Sequence, residues 1–161
     1  MCGLVGIAIS SKFGFSKPGI STFEQMLYID SLRGEDATGV TCISKYGDVD
    51  GFKEANNAFF SLSTKEWSDL SIKALREGRV LLGHNRKKTI GTNKDENAHP
   101  FIIDSRYVFM HNGTLYNHKQ LADTEVDSHA LGIHLTKCNG DKAKLEEALG
   151  NVHGAYACIW Y

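Results

Sequence analysis

The sequence lacks an excess of either charge. Eighteen Lys and Arg stand against 19 Asp and Glu, a formal net charge of −1 over 161 residues. A nucleic-acid footprint or a polybasic membrane anchor needs concentrated positive charge, and no such concentration is present. Long apolar runs are missing too: nothing approaches the roughly 20 residues that a membrane-spanning helix requires. No basic region followed by an apolar stretch opens the chain, so no secretory signal is expected. The four cysteines, Cys2, Cys42, Cys138 and Cys158, form no CxxC pair and no disulfide framework. That usage suits a reducing, cytoplasmic setting. The phosphate-cradling patterns GxxxxGK[ST] and GxGxxG are absent. The seven histidines do not take zinc-ligand spacing, and His129 and His134 are five apart rather than four. No metal and no other cofactor is expected.

What is present reads as one domain of mixed α and β structure. The length suits a single domain, and 42% hydrophobic content supports an ordinary core. Residues 4–9, LVGIAI, form a short apolar strand pattern. Residues 21–32 read as a helix capped by Ser21, with Glu24 completing a capping box and Asp30 breaking the apolar stripe. Residues 39–44 are β-like, and the stretch after them is rich in turn residues. Residues 63–78 read as a helix, with Ser63 three before Glu66 and Gly78 at the C-cap. RVLLGHNR and YVFMHNG read as strands, DSHALGIHLTKC and DKAKLEEALG as helices, and AYACIWY as a closing strand. Tyr107, Phe109, Trp160 and Tyr161 are expected in the core. Strands alternating with helices imply layered packing. Polar residues gather at strand ends, where sites usually sit.

The chemistry begins at the second residue. Methionine is commonly removed before a small residue, which would leave Cys2 with both a thiol and an α-amine. An α-amine has a pKa of about 7.7–8.0, so near neutral pH it can accept a proton. One residue then supplies nucleophile and base. Position alone does not separate this from an inert thiol. Asn112-Gly113 in HNG is a strong hairpin-turn signal. The same bend would converge the Gly113 N–H and the Asn112 amide, two donors suited to an oxyanion. Arg86 ends a strand, and its planar fork suits a carboxylate better than a lysine would. Arg33 in RGEDATG is favourable beside a helix C-terminus that stops at Gly34. Asp36 fits a structural role in that turn.

In order along the chain, MCGLVGI, LRGEDATGV (32–40), GHNR (83–86) with NAHPF (97–101), HNGTLYNHKQL (111–121), VDSHAL (126–131) and HGAYACIWY (153–161) resemble the glutaminase domain of the class II glutamine amidotransferases, an N-terminal-nucleophile family. The resemblance covers nearly the whole chain. It implies an α+β fold, a four-layer αββα sandwich with two antiparallel sheets between helix layers. It makes residues 1–161 one glutaminase domain with no room for a synthase domain, ending around a strand where the family's domain commonly continues. The implied reaction is hydrolysis of the glutamine side-chain amide through a Cys2 thioester. Ammonia would pass to a fused or partner synthase that holds the acceptor.

The resemblance also assigns residues. Asn112 and Gly113 would form the oxyanion hole. Arg33 would stand close to the nucleophile, where positive charge favours thiolate. Arg86 would grip the substrate α-carboxylate, and Asn97 and His99 would belong to the substrate loop, with Pro100 marking a plain rigid loop as the alternative. The chain departs from the family at Ile90, where a histidine often precedes the glycine that is Gly91 here. The loop after HNG is also shorter than usual. The substrate ammonium needs a carboxylate, and two registers compete. DTEV (123–126) matches a family string and selects Asp123, whereas VDSHAL selects Asp127. Counting from Asp123 would bury Asp127 on the following helix. Counting from Asp127 puts Ala130, Leu131 and Leu135 on one apolar stripe, so Asp127 is the expected residue. Two rival readings remain at this level: hydrolysis of another amide, and a non-catalytic binding module of the same fold.

Overall fold

The computed structural model describes residues 2–10 and 12–161. Met1, whose removal the chemistry above requires, lies outside the described residues.

Two antiparallel sheets carry the fold. The first contains β1 (Gly3–Ala8), β2 (Ala37–Ser44), β3 (Val49–Glu54) and β4 (Gly78–Arg86), in the order β1-β4-β2-β3. The second contains β5 (Phe101–Ile103), β6 (Tyr107–Leu115) and β7 (Gly154–Trp160), in the order β5-β6-β7. Helices α1 (Lys17–Asp30), α2 (Ala58–Ser61) and α3 (Lys65–Glu77) fall between strands of the first sheet. Helices α4 (His118–Leu121), α5 (Asp127–Thr136) and α6 (Lys142–Gly150) fall between β6 and β7.

Alternation along the strands creates three apolar layers. Phe23 and Leu27 of α1 and Trp67 and Leu70 of α3 pack on Val5, Val40, Cys42 and Leu81 of the first sheet. Leu4, Ile43 and Leu82 point the other way and meet Val108, Met110 and Ile159 of the second sheet. Phe109 and Leu115 then face Ala130, Leu131 and Leu135 of α5 and Ala148 of α6. Three cores between four layers make the expected αββα sandwich.

Local chemistry shifts several boundaries. α1 begins a turn before Ser21, because Ser16 Oγ accepts the Gly19 N–H at 3.2 Å and Pro18 suits the first turn. Glu24 therefore closes no capping box and instead accepts the Trp67 Nε1–H of α3 at 2.7 Å. Thr64, not Ser63, caps α3, accepting the Trp67 N–H at 3.4 Å. The turn-rich stretch after residue 44 contains β3. Phe109 is fully buried, Tyr107 and Trp160 are half-buried, and Tyr161 is exposed, so that last residue does not join the core.

One expectation needs a larger correction. Asn112 and Gly113 sit inside β6, paired with Ala157 and Tyr156 of β7, rather than at a hairpin. The strand runs on to Leu115, so the glycine serves the strand and not a turn. Its φ is 155°, and a Cβ there would stand 1.9 Å from the Ala155 carbonyl oxygen. Only a glycine fits that approach.

Candidate active site

Strand register assembles the site. Gly3 pairs with Asn85 and Ala37 with Arg86, so the start of β1, the start of β2 and the end of β4 lie side by side. Cys2 is thereby laid against the Arg86–Lys87 peptide. The Lys87 N–H donates to Cys2 Sγ at 3.3 Å, and the thiol faces the Lys87 carbonyl at 3.5 Å. The Cys2 nitrogen donates to Asn112 Oδ1 at 3.1 Å, which ties the first sheet to the second. Arg33 Nε donates to the Cys2 carbonyl at 3.1 Å. Burial pushes the Cys2 thiol above its ordinary pKa, while the Lys87 hydrogen bond and the Arg86 charge pull it down and Asp127 raises it. The guanidinium bearing on the sulfur is thus that of Arg86, and Arg33 engages the main chain of the same residue.

Gly3 follows Cys2 for a steric reason. A Cβ built there would stand 1.6 Å from an Asp30 carboxylate oxygen. Asp30 therefore does not simply interrupt an apolar helix face but packs against the start of β1. Asn85 Nδ2 donates to Asp30 Oδ2 at 3.3 Å and to the Leu27 carbonyl at 2.8 Å, and Thr38 donates to Asn85 Oδ1 at 3.0 Å. This buried bracket locks α1, β2 and β4 beside the thiol.

Arg86 is 2% exposed, and burial lowers its pKa. It donates through Nη1 to the Thr92 carbonyl at 3.0 Å and through Nη2 to the Ile90 carbonyl at 2.6 Å. The substituted loop, with Ile90 and Gly91, thus wraps the guanidinium with its own carbonyls. Asn97 supports the same loop, donating from Nδ2 to the Thr92 carbonyl and hydroxyl, both at 3.1 Å. Glu125 latches it from the other side, accepting the Thr92 N–H at 2.6 Å. Hydrogen bonding from Thr92 and Asn97 pulls the Glu125 carboxyl down to about 2.

The two candidate aspartates are sharply different. Asp123 is wholly exposed at its side chain and pairs with Lys119 at 3.4 Å. Asp127 is 3% exposed at the start of α5, where it accepts the Leu115 N–H and the Ser128 N–H, each at 2.9 Å. Its charge reaches Cys2, Arg86 and His111.

His99 lies in a buried aromatic column. Its ring stacks on His84 at 3.9 Å and meets the edge of Phe101 at 4.7 Å, and Phe101 stacks on His129 at 4.6 Å. Both His99 ring nitrogens are buried without a hydrogen-bond partner, and the ring packs between His84 and Phe101. Burial pushes His84 down to about 3 and His99 well below its ordinary value, keeping both neutral. His111 Nδ1 is hydrogen-bonded to Ser128 Oγ at 2.7 Å, linking the HNG strand to the Asp127 turn. Among the described residues no group of three His, Cys, Asp or Glu could hold a metal ion. A separate cavity of about 220 Å³, lined by Phe52, Lys53, Phe101 and His129, contains none of the catalytic candidates.

The Lys87 N–H, Ser128 and Glu125 are contacts that sequence reasoning did not reach. A backbone donor leaves no signature, and Glu125 is distinguished only by standing two residues before Asp127.

No protein-family model matches the chain. It is 27% identical over 176 residues to glutamine–fructose-6-phosphate aminotransferase (isomerizing) of Sulfolobus acidocaldarius, covering 99% of this chain and 28% of the relative. It is 30% identical over 173 residues to the protein of that name from Agrobacterium fabrum, covering 99% and 26%. It is 28% identical over 185 residues to amidophosphoribosyltransferase of Pasteurella multocida, covering 99% and 34%. The fold superposes on glutamine phosphoribosylpyrophosphate amidotransferase of B. subtilis, solved with ADP and GMP, with a TM-score of 0.68 at 21% identity. That match covers 99% of this chain and 34% of the other. The chain belongs to the class II glutamine amidotransferases. This amidotransferase domain spans about a quarter to a third of the length of the curated relatives it matches. No helix among the described residues of the domain is long and apolar enough to cross a membrane.

Proposed function

We propose that the domain hydrolyses the side-chain amide of glutamine through Cys2 and hands the ammonia to a synthase domain or subunit. The observation that carries this reading is the hydrogen bond from the Cys2 nitrogen to Asn112 Oδ1 at 3.1 Å. After loss of Met1 that nitrogen becomes an α-amine. A neutral amine that donates one N–H to Asn112 keeps its lone pair for the adjacent thiol. Asn112, accepting through Oδ1, keeps its Nδ2 as a donor for an oxyanion.

The steps balance. The α-amine takes the thiol proton, and sulfur attacks the amide carbon. The oxyanion forms against Asn112 Nδ2 and the Gly113 N–H. As the C–N bond breaks, the ammonium returns its proton to the leaving nitrogen, and ammonia departs. Water then attacks the thioester carbon, losing a proton to the amine. The C–S bond breaks, glutamate leaves and the thiol is restored. Arg86 and Asp127 serve the two charged ends of the substrate, with Asn97 bracing the loop over Arg86 and His99 packed beneath the strand end that carries it, against His84. The paired cation and anion favour an α-amino acid over other amides. The free cysteines accord with a cytoplasmic home.

The test is intact mass followed by trapping with diazo-oxo-norleucine. The reading expects Met1 absent and one adduct, on Cys2. A chain that retains Met1, or that takes no adduct while folded, overturns it.

A further inference from the structure

The segment Arg33–Asp36 touches the nucleophile's surroundings at three points. Arg33 holds the Cys2 carbonyl. Gly34 lies so close to the Arg86–Lys87 peptide that a Cβ would stand 2.5 Å from the Lys87 nitrogen. Asp36 grips the residues beyond. Its Oδ2 accepts the Lys88 N–H at 2.7 Å, and its Oδ1 pairs with Lys87 Nζ at 3.4 Å. Its own N–H donates to the Arg86 carbonyl at 3.0 Å, and its carbonyl accepts Asn93 Nδ2 at 2.9 Å. The peptide thus held between two anchors is the one whose Lys87 N–H points at Cys2 Sγ.

We propose that Asp36 is a positioning residue for the thiolate, holding the 86–88 backbone so that the Lys87 N–H stays on the sulfur, with Gly34 giving the space for it. The proposal rests on Cys2 being the nucleophile. It goes beyond a turn-forming role, because Asp36 touches no reacting atom and acts through a backbone donor one residue away. The charged groups acting on the Cys2 thiol are the terminal amine, Arg86 and Asp127, with Arg33 at the Cys2 carbonyl. An N–H aimed at sulfur stabilises the thiolate over the thiol.

The sign of the effect separates positioning from simple charge. Removing a nearby carboxylate by itself eases thiolate formation. Losing the Lys87 hydrogen bond opposes it. The experiment measures the rate of Cys2 alkylation by iodoacetamide against pH, resolved by peptide mass, in the wild type, Asp36→Asn, Asp36→Ala and Gly34→Ala. Free N-acetylcysteine alkylated in the same tube serves as the internal control, and the thermal midpoint reports folding. The expected result is an upward displacement of the Cys2 profile in Asp36→Ala, with alkylation at pH 7 falling about tenfold, one pKa unit. Asp36→Asn retains an acceptor for the Lys88 N–H and should fall between, and Gly34→Ala should move the same way. Profiles that overlay the wild type, or shift downward, overturn the proposal. Should Asp36→Ala fail to fold, Asp36→Asn and Gly34→Ala carry the test. The readout does not use glutamine, so a chain with shifted profiles but no glutamine turnover would sink the proposed function and leave the positioning role standing.

Discussion

The two walls of the site are built from opposite materials. The thiol wall, formed by Cys2, Arg33, Asp36 and Lys87 at the ends of the first sheet, is half-exposed and held by backbone donors and screened charges. The carboxylate wall, formed by Asp127, Ser128 and His111 on the second sheet and α5, is buried and braced by backbone N–H groups and neutral rings. The lesson is a division of labour. If Cys2 is the nucleophile we propose, it must meet solvent and substrate, so its wall trades burial for hydrogen bonds. If Asp127 takes the substrate ammonium, as proposed, it gains from low dielectric in a sealed wall.

The comparison predicts effects that descend in size. Cys2→Ala, or Cys2→Ser, should reduce ammonia release to background, because the proposed mechanism makes the Cys2 sulfur the attacking atom. Substantial release by Cys2→Ala would move the chemistry elsewhere. On the buried wall, Asp127→Asn should weaken glutamine binding by about 2 kcal/mol, roughly thirtyfold in KM, as expected when a buried charge partner is lost. Asp123→Asn, on an exposed carboxylate four residues away, should leave KM within about twofold. Equal effects in the two variants would erase the distinction between walls.

Burial predicts a pH dependence of stability that comes from the interior histidines. His84, His99 and His111 all have folded pKa values depressed by burial below the ordinary histidine value. Above about pH 6.5 both folded and unfolded states hold them neutral, and their full contribution is present. As pH falls below that value the unfolded chain binds protons that the folded chain refuses, and stability declines toward the folded pKa, about 3 for His84. Each ring contributes a slope of up to about 1.4 kcal/mol per pH unit in that window. Denaturant titrations at pH 7.5, 6.0 and 5.0 measure it, and a flat profile would contradict the buried neutral column. The smallest effect belongs to the exposed latch. Glu125→Gln should raise KM for glutamine by roughly threefold through a looser Thr92 loop, with kcat unchanged, the scale of a solvent-screened hydrogen bond.

Much of this was legible in the residues. The resemblance singles out Cys2 and the HNG strand, and the helix period places Asp127 rather than Asp123 at the start of α5. The HNG bend was misread as a hairpin because Asn-Gly favours a tight turn locally, and pairing with β7 overrode that preference. α1 starts a turn before the Ser21 expected from the capping-box pattern, because Ser16 caps it and Pro18 suits its first turn. Asp36 read as a turn residue, since its two anchoring contacts lie about fifty residues away in sequence.

By itself the sequence determined the alternation of apolar faces and the identity of the reactive side chains, since periodicity and side-chain chemistry are local properties. Only the tertiary structure decided which backbone N–H meets the sulfur, which carbonyls occupy Arg86 and which histidines are sealed neutral. Those outcomes depend on strand register and on contacts between distant segments, where a shift of one residue would turn every partner away.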